Sequence, residues 1–289
     1  MTKIITWNVN GLRSVMSKNK LGEKFGPKEN KECVLETLIK EHQPDILCLQ
    51  EIRCNEDLDL SKLNLASHGY NHIYLNSAKT KKGYSGTGIL SKEKPLSVRR
   101  NFEGLELDIE QYEFVFDESL NEEGRLLTLE FDDHYVINSY TPNSKGDLSR
   151  LEYRADVWEE AIVAYIQYIK DKTGKGVIYC GDLNVAAEFI DVYNPKSSYG
   201  SCGCTALEKE CMRILKRECD LVDSFREMNP DGAKYSWFSA RSVGARSQNK
   251  GWRIDYILAS SSIELKEADI LSDYFGSDHV PCLLEFECI

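Results

Sequence analysis

The nine residues Val177-Ile178-Tyr179-Cys180-Gly181-Asp182-Leu183-Asn184-Val185 constrain this chain more than any other stretch. A short apolar run rich in β-branched and aromatic side chains reads as a buried strand. It stops at Gly181 and then presents a carboxylate and a carboxamide two residues apart. Residues i and i+2 of an extended segment share a side, so Asp182 and Asn184 are aimed at one spot. No helix cap or salt-bridge pattern accounts for the pair. The same device recurs along the chain, where apolar strands end in Asn, Glu, Asp or His. That repetition predicts polar groups gathered at one rim of a sheet.

Taken in order, residues 4–9 read as a first strand, with Asn8 and Asn10 just before the turn residue Gly11. A helical stripe of Val34, Leu35, Leu38 and Ile39 follows within residues 32–42, and Pro44 marks its end. A second strand over residues 45–50 runs directly into Glu51, and another lies near residues 87–90. Residues 126–131 and 135–139 form neighbouring strands across the turn at Asp132-Asp133, with His134 placed in that turn. Residues 151–169 form an amphipathic helix with Trp158, Ile162, Tyr165, Ile166 and Ile169 on its inner face. A further helix spans residues 207–218, and strands are expected at residues 254–258, 267–271 and 280–286. The acidic segment from Glu103 to Glu123 is expected to be a strand pair with looping edges. No linker, repeat or low-complexity stretch divides the chain, so a single α/β domain over residues 1–289 with mixed sheets is expected.

Charge alone decides little about partners. The net charge of −11 argues against nucleic acid, but its distribution is uneven. The acidic segment carries nine Asp or Glu and no Lys or Arg. Residues 232–254 carry five basic residues and no acidic one, so a basic face is compatible with a negative total. No apolar run approaches the length of a membrane span, and Met1-Thr2-Lys3-Ile4 enters a strand without a leader, which predicts an intracellular protein. Ten cysteines then read as free thiols in a reducing compartment. Cys48, Cys180 and Cys282 sit inside apolar runs as small core residues, and the Cys202/Cys204 pair lacks a second Cys/His pair at zinc spacing.

The strand ends contribute Asn8, Asn10, Glu51, Tyr140, Asn143, Asp182, Asn184, Asp255, Asp278 and His279. Glu51 is an oxygen ligand suited to Mg²⁺, with Asn10 and Asp278 able to complete the shell. A capping role for Glu51 and a turn-forming role for Asn8 and Asn10 are the plain alternatives. Asp255 supplies a carboxylate to fix the tautomer of His279 and favour its charged form. Tyr140 offers a phenol to a phosphate oxygen, and Asp182 with Asn184 can orient an attacking water. No Ser or Cys nucleophile is paired with a His in these motifs, so the set suits metal-assisted phosphodiester hydrolysis rather than acyl transfer. Two further stretches bear on substrate. Lys79, Lys81 and Lys82 beside Tyr84 join charge to a stacking ring. In residues 232–254 the basic residues alternate with Tyr235, Trp237, Phe238 and Trp252, enough aromatics to wall a pocket for a sugar without its base, although core packing is the plain role for some, Trp252 above all.

These motifs together resemble the exonuclease III family of apurinic/apyrimidinic endonucleases, within the wider endonuclease/exonuclease/phosphatase fold and closest to its bacterial branch. The resemblance runs nearly end to end through ITWNVNGLRS, LCLQEIRC, GYSGTGILSK, EGRLLTLEF, YTPNS with RLEYR, CGDLNVA with IDVYNPK, GWRIDYIL and GSDHVP. It implies a four-layer α/β sandwich of two packed mixed sheets flanked by helices. It also implies Mg²⁺- or Mn²⁺-dependent cleavage of double-stranded DNA 5′ to an abasic site, leaving a 3′-hydroxyl. By this matching Glu51 is the principal metal ligand, with Asn10 and Asp278 nearby. Asn8, Tyr140, Asn143 and Asn184 bind the phosphate or hold the site in shape, Asp182 accepts a proton, and Asp255 orients His279. Arg150 and Tyr84 would touch DNA by the same matching, with Lys82 and Arg246 of the two basic stretches expected beside them, while Phe238 or Trp237, with Trp252 and Ile254, would line the sugar pocket. The expected protein is a monomer, cytoplasmic and nucleoid-associated if the cell is bacterial.

The chain departs from the pattern in places. The family's asparagine-alanine-glycine-phenylalanine-threonine stretch is here Ser201-Cys202-Gly203-Cys204-Thr205. Gly244 replaces an asparagine before Ala245-Arg246, the segment between Trp237 and Trp252 is one residue longer, and Ala187 and Phe189 replace a His and a Glu. These changes touch the pocket and the DNA grip rather than the catalytic groups. The rival readings are a phosphohydrolase of the same fold acting on inositol or lipid phosphate or on undamaged DNA, and a silent DNA-binding scaffold. DNase-like relatives carry a second mid-chain His where this chain has Asn138-Ser139-Tyr140-Thr141, and every candidate catalytic group is retained.

Overall fold

The computed structural model describes residues 1–16, 33–104, 116–242 and 244–288. Twelve strands are built from them: β1 (Thr2–Asn8), β2 (Ile46–Gln50), β3 (His72–Asn76), β4 (Thr87–Ser91), β5 (Ser97–Arg100), β6 (Leu126–Glu130), β7 (His134–Tyr140), β8 (Gly176–Asp182), β9 (Leu221–Asp223), β10 (Asp255–Ser260), β11 (Ile263–Ile270) and β12 (Cys282–Cys288). They form two six-stranded sheets, ordered β11-β12-β1-β2-β4-β3 and β5-β6-β7-β8-β10-β9. In each sheet only the central pair is parallel, β1 with β2 and β7 with β8. Parallel neighbours need a crossover, and both pairs have a helical one. Val34–His42 joins β1 to β2, and the run Leu151–Thr173 joins β7 to β8. The two sheets therefore share one pattern of pairing, a likeness of topology that no repeat in the sequence announced.

Period-two alternation sorts the side chains into layers. Ile4, Cys48, Val136, Ile178, Cys180, Ile257 and Cys282 point between the sheets. Ile5, Trp7, Leu47 and Leu49 face the helix Val34–His42, and Tyr135, Ile137, Val177 and Tyr179 face the long helix. The result is helix, sheet, sheet, helix, as the resemblance implied. Polar groups also bridge the sheets: Gln50 Nε2 donates to Asn138 Oδ1 (2.7 Å), and Asn138 Nδ2 donates to the carbonyls of Leu49 (3.0 Å) and Gly88 (2.8 Å).

Most expected elements are present with shifted ends. The helix expected at 151–169 continues to Thr173, where Gly174 caps it in the left-handed region, and Arg154–Glu159 within it is π-helical. His134 is not in the turn: it opens β7 and is buried. The expected strand at 267–271 begins earlier, at Ile263, and ends at Ile270. Three short strands, β3, β5 and β9, were not expected from the sequence; all are peripheral, and β3 and β5 are only half-buried over much of their length. Most of the acidic segment lies outside the described residues, and its end, Glu118–Asn121, is a single 3₁₀ turn. Among the described residues no helix is long and apolar enough to cross a membrane.

Two local constraints hold the rim. Gly181 lies at φ +134, and a Cβ there would meet the Ser139 carbonyl oxygen of neighbouring β7 at 1.9 Å. Behind the rim, fully buried Asp191 accepts from Arg253 (2.7 and 3.0 Å) and Arg226 (2.6 Å), and Arg253 also reaches Asp223 (2.7 Å). Burial alone would raise the Asp191 pKa, but the Arg253 charge and hydrogen bonds outweigh it and hold the carboxyl below its ordinary value.

Gly181→Ala should destabilise the protein by about 3 kcal/mol or more, because backbone must move to admit the methyl group; urea unfolding at neutral pH measures it. Asp191→Asn should cost about 3–5 kcal/mol by leaving Arg253 buried and short of a partner. A depressed carboxyl contributes stability above its unfolded pKa of about 3.9 and loses it as pH falls through the folded value. Denaturation followed between about pH 5 and pH 2 should thus show a shallower loss of stability in Asp191→Asn than in the wild type.

Candidate active site

The parallel pairs put the carboxyl ends of β1, β2, β7 and β8 at one rim, carrying Asn8, Gln50 followed by Glu51, Tyr140 and Asp182. Antiparallel β10 begins at the same rim with Asp255, which pairs in register with Asp182. The segment before β12 adds Asp278 and His279. The backbone is bent to aim these groups: Asn10, Glu51 and Asn184 all lie in the left-handed region, at φ +47, +53 and +50. Such conformations cost about 1–3 kcal/mol each and persist where surrounding contacts over-determine them.

At the centre, His279 Nδ1 meets Asp255 Oδ2 at 2.8 Å, and its Nε2 lies 3.8 Å from Asp182 Oδ2. All three side chains are buried, and their ligand atoms lie close enough together to hold a metal ion. Asn8 Nδ2 donates to Asp182 Oδ2 (2.8 Å), while the Asn184 backbone N–H donates to Asp182 Oδ1 (3.0 Å). Burial raises the Asp182 pKa, and the positive His279 only partly offsets it. Burial works against charging His279, but Asp255 first and Asp182 second outweigh it and hold the imidazole protonated. Burial and then the Glu51 charge push Tyr140 far up, which keeps its phenol protonated.

A polarised chain of amides runs along one wall. The Lys145 N–H (2.8 Å) and the Cys202 thiol (3.1 Å) both donate to Asn143 Oδ1. Asn143 Nδ2 then donates to Asn184 Oδ1 (3.0 Å), and Asn184 Nδ2 donates to the Thr141 carbonyl (2.8 Å). On another side Asn10 Nδ2 donates to Asp278 Oδ1 (2.8 Å), and Trp237 Nε1 donates to Asp278 Oδ2 (3.2 Å). The Arg53 guanidinium is docked on Glu51. Glu51, Tyr140, Asn143, Asp182, Asn184 and His279 share a cavity of about 480 Å³ with Trp237, Trp252 and Ile254.

Several positions differ from expectation. Phe238 does not line the cavity; it is buried between the sheets, and Trp237 takes the wall. Trp252 does more than fill core, since it forms the other aromatic wall, edge-on to Trp237 at 6.0 Å. Arg246, expected at the DNA, donates to the carbonyls of Ser272 and Tyr274 with its guanidinium 3.9 Å from the Phe275 ring centroid. Tyr84 and Arg150, both expected at the DNA, lie side by side, with Arg150 Nη1 donating to Tyr84 Oη (3.3 Å). Lys82 stands on an exposed turn outside the cavity.

Sequence reasoning missed the residues that hold these groups. Arg125 donates to the Tyr140 carbonyl (2.9 Å) and Tyr84 Oη (2.9 Å) and lies over the Tyr140 ring, 4.7 Å from its centroid. Arg154, wholly buried, donates to the carbonyls of Asn184 (2.6 Å) and Leu183 (2.7 Å) and to Glu208 (3.2 Å). Glu208 in turn ties down the Gly203 and Thr205 N–H groups (both 3.0 Å) and the Ser144 hydroxyl (2.6 Å). One buried ion pair thereby positions three loops of the cavity. A charged residue on an otherwise amphipathic helix gave no signal of this, because its partners lie 30 and 54 residues away.

The likeness to known proteins agrees with this geometry. Residues 5–279 match the family described as endonuclease/exonuclease/phosphatase. The chain is 42% identical over 284 residues to an exodeoxyribonuclease of Bacillus subtilis (strain 168), covering 96% of this chain and 97% of that one. It is 35% identical over 284 residues to the DNA repair nuclease APEX1 of Danio rerio, covering 98% and 81%. The crystal structure of an AP endonuclease from Leishmania major superposes with a TM-score of 0.77 at 29% identity, over 100% of this chain and 88% of that one. A match that takes in both sheets and the whole rim, with relatives covered over most of their length, places the chain in the endonuclease/exonuclease/phosphatase family.

Proposed function

We propose that this chain is a metal-dependent DNA repair nuclease, acting as a monomeric single domain over residues 1–289, that hydrolyses the phosphodiester 5′ to an abasic site in double-stranded DNA. The observation that carries the reading is one cavity with two kinds of lining residue. Acid–base and amide groups (Asp182, His279, Asn143, Asn184) line it together with two tryptophans and Ile254. The polar groups suit a phosphodiester, and the apolar ones suit a deoxyribose that has lost its base. The exodeoxyribonuclease and DNA repair nuclease among its relatives support the same reading.

Glu51 lines this cavity, while Asp278 is joined to Asn10 and to the lining Trp237; their oxygens are a hard donor set that fits Mg²⁺ or Mn²⁺, and the Arg53 cation docked on Glu51 marks the spot as one that favours positive charge. When bound there, the metal supplies Lewis-acid stabilisation of phosphate charge. The chain's own residues do the rest. Asp182 is held by Asn8 and the Asn184 N–H, and burial makes it a stronger proton acceptor than an exposed carboxylate, so it takes the proton of the attacking water. His279, protonated and oriented by Asp255, has no room for that proton and instead presents positive charge to the phosphate. The amide chain fixes Asn143 and Asn184 with N–H groups as donors, and Tyr140 stays a phenol donor. Tyr84, Arg150 and Lys82 grip the flanking backbone by charge and stacking. Side activities as a 3′–5′ exonuclease or a 3′-repair phosphodiesterase would use the same groups on a different end of the strand.

A duplex carrying one abasic analogue should be nicked in Mg²⁺ or Mn²⁺ and left intact in chelator. Equal cutting of undamaged duplex, or preference for an inositol phosphate run in parallel, would defeat the substrate assignment. In that assay Asp182→Asn should lower the rate by about two orders of magnitude or more, and a near wild-type rate would remove it from proton transfer. Glu51→Gln should raise the Mg²⁺ concentration needed for half-maximal nicking by about tenfold or more, since even partners behind a ligand have effects of that size. An unchanged Mg²⁺ titration would move the metal elsewhere.

A further inference from the structure

The nuclease rim occupies one end of the two sheets, and the opposite end holds a second group of metal-ligating side chains. Asp133 precedes β7, His134 opens it, and Cys288 closes β12 in the other sheet. One carboxylate oxygen, one imidazole nitrogen and the thiol sulfur lie within 4.8 Å of one another. The proposed hydrolysis uses none of the three. His134 is 5% exposed, stacked on Phe131 with ring centroids 4.9 Å apart and edge-on to Phe286 at 5.2 Å. Its Nδ1 lies 2.6 Å from Asp133 Oδ1, the Cys288 thiol is also hydrogen-bonded to Asp133, and among the described residues the buried His134 Nε2 has no hydrogen-bond partner. Buried imidazoles ordinarily satisfy both nitrogens. Of the two ring nitrogens Nδ1 is the one against the carboxylate, and taking an ion there would exchange its hydrogen bond to Asp133 for a metal bond.

We propose that Asp133, His134 and Cys288 bind a zinc-class divalent ion that clasps the end of β12 to the β6–β7 turn, fastening the two sheets at the end remote from the nuclease rim. A mixed O, N and S donor set is borderline-soft and selects Zn²⁺ over Mg²⁺, which keeps the site chemically separate from the oxygen-rich rim. Tetrahedral bonds of about 2.0–2.3 Å place ligand atoms about 3.4 Å apart. Closing from at most 4.8 Å needs only rotation of Asp133, which is exposed, and of Cys288, which is half-buried. Burial lowers the His134 pKa against the attraction of Asp133, so the ring is neutral and able to ligate. Burial, then the Asp133 charge, pushes the Cys288 thiol up to about 12, so capture of the ion expels the thiol proton to solvent as the S–metal bond forms. Three protein ligands leave a fourth position for water.

The test uses the full-length protein stripped of metal by chelator and dialysed. Co²⁺ titration should give one equivalent of bound ion with a thiolate-to-cobalt charge-transfer band, and Zn²⁺ should displace it and raise Tm. Cys288→Ser and Asp133→Asn, both at positions open enough to tolerate the change, should lose the band and the Zn²⁺-dependent rise in Tm. Their Mg²⁺-supported nicking of abasic duplex should stay at the wild-type rate, so this result is read separately from the nuclease assignment. A band that is absent from the wild type, or that survives in Cys288→Ser through another of the ten cysteines, would overturn the proposal, as would equal stabilisation of wild type and variants by Zn²⁺.

Discussion

Everything at the rim depends on two parallel strand pairs held face to face. A parallel pair cannot be closed by a tight turn, so its two strands end on the same edge. β1 with β2, and β7 with β8, each bring two carboxyl ends to one edge, and sheet packing brings the two edges together. The contact is direct: Asn8 at the end of β1 donates to Asp182 at the end of β8. Just below, Gln50 and Asn138 bond across the sheet interface and leave little freedom to slide. Rim geometry is then set by backbone register rather than by loops, which suits groups that must be held to a fraction of an ångström.

Buried charge is the second theme. Three networks, Asp182–His279–Asp255, Arg154–Glu208 and Asp191–Arg253–Asp223, place ionic groups where solvent is excluded. Such pairs add little net stability compared with apolar packing of the same shape, but removing one member is costly. Their use here is positional. Arg154 and Glu208 fix three cavity loops, Arg253 fixes the backbone that presents Ile254 and Asp255, and Asp255 with Asp182 keeps a proton on His279. Each arginine serves main-chain carbonyls or two carboxylates at once, geometry that the planar guanidinium fork allows and an ammonium group does not.

Much of this was legible in advance. Strand ends punctuated by Asn8, Glu51, Tyr140, Asp182 and His279 foretold a polar rim, because period-two alternation and turn residues are local signals. The four-layer arrangement came from the family resemblance. What failed to show was long-range. Phe238 and Trp237 are adjacent aromatics in one basic segment, and only packing decides that the first is core and the second is wall. Arg246 sits in a basic stretch yet spends its guanidinium on Ser272 and Tyr274. The matching pairing of the two sheets is likewise invisible without topology, since β11 and β12 at the chain's end join β1 at its beginning.

The sequence by itself determined which chemical groups exist and where strands stop: the Gly181-Asp182-Leu183-Asn184 turn and the aromatic and basic segment before Ile254. Those are consequences of side-chain type and short-range periodicity. The tertiary structure alone decided how they act together. It set Asp182 between Asn8 and His279, turned Trp237 and Trp252 toward the same cavity, and brought Cys288 to Asp133 and His134 at the far end. The physical reason is that burial and proximity across sheets set charge states and hydrogen-bond partners, and both are properties of contacts between residues far apart in the chain.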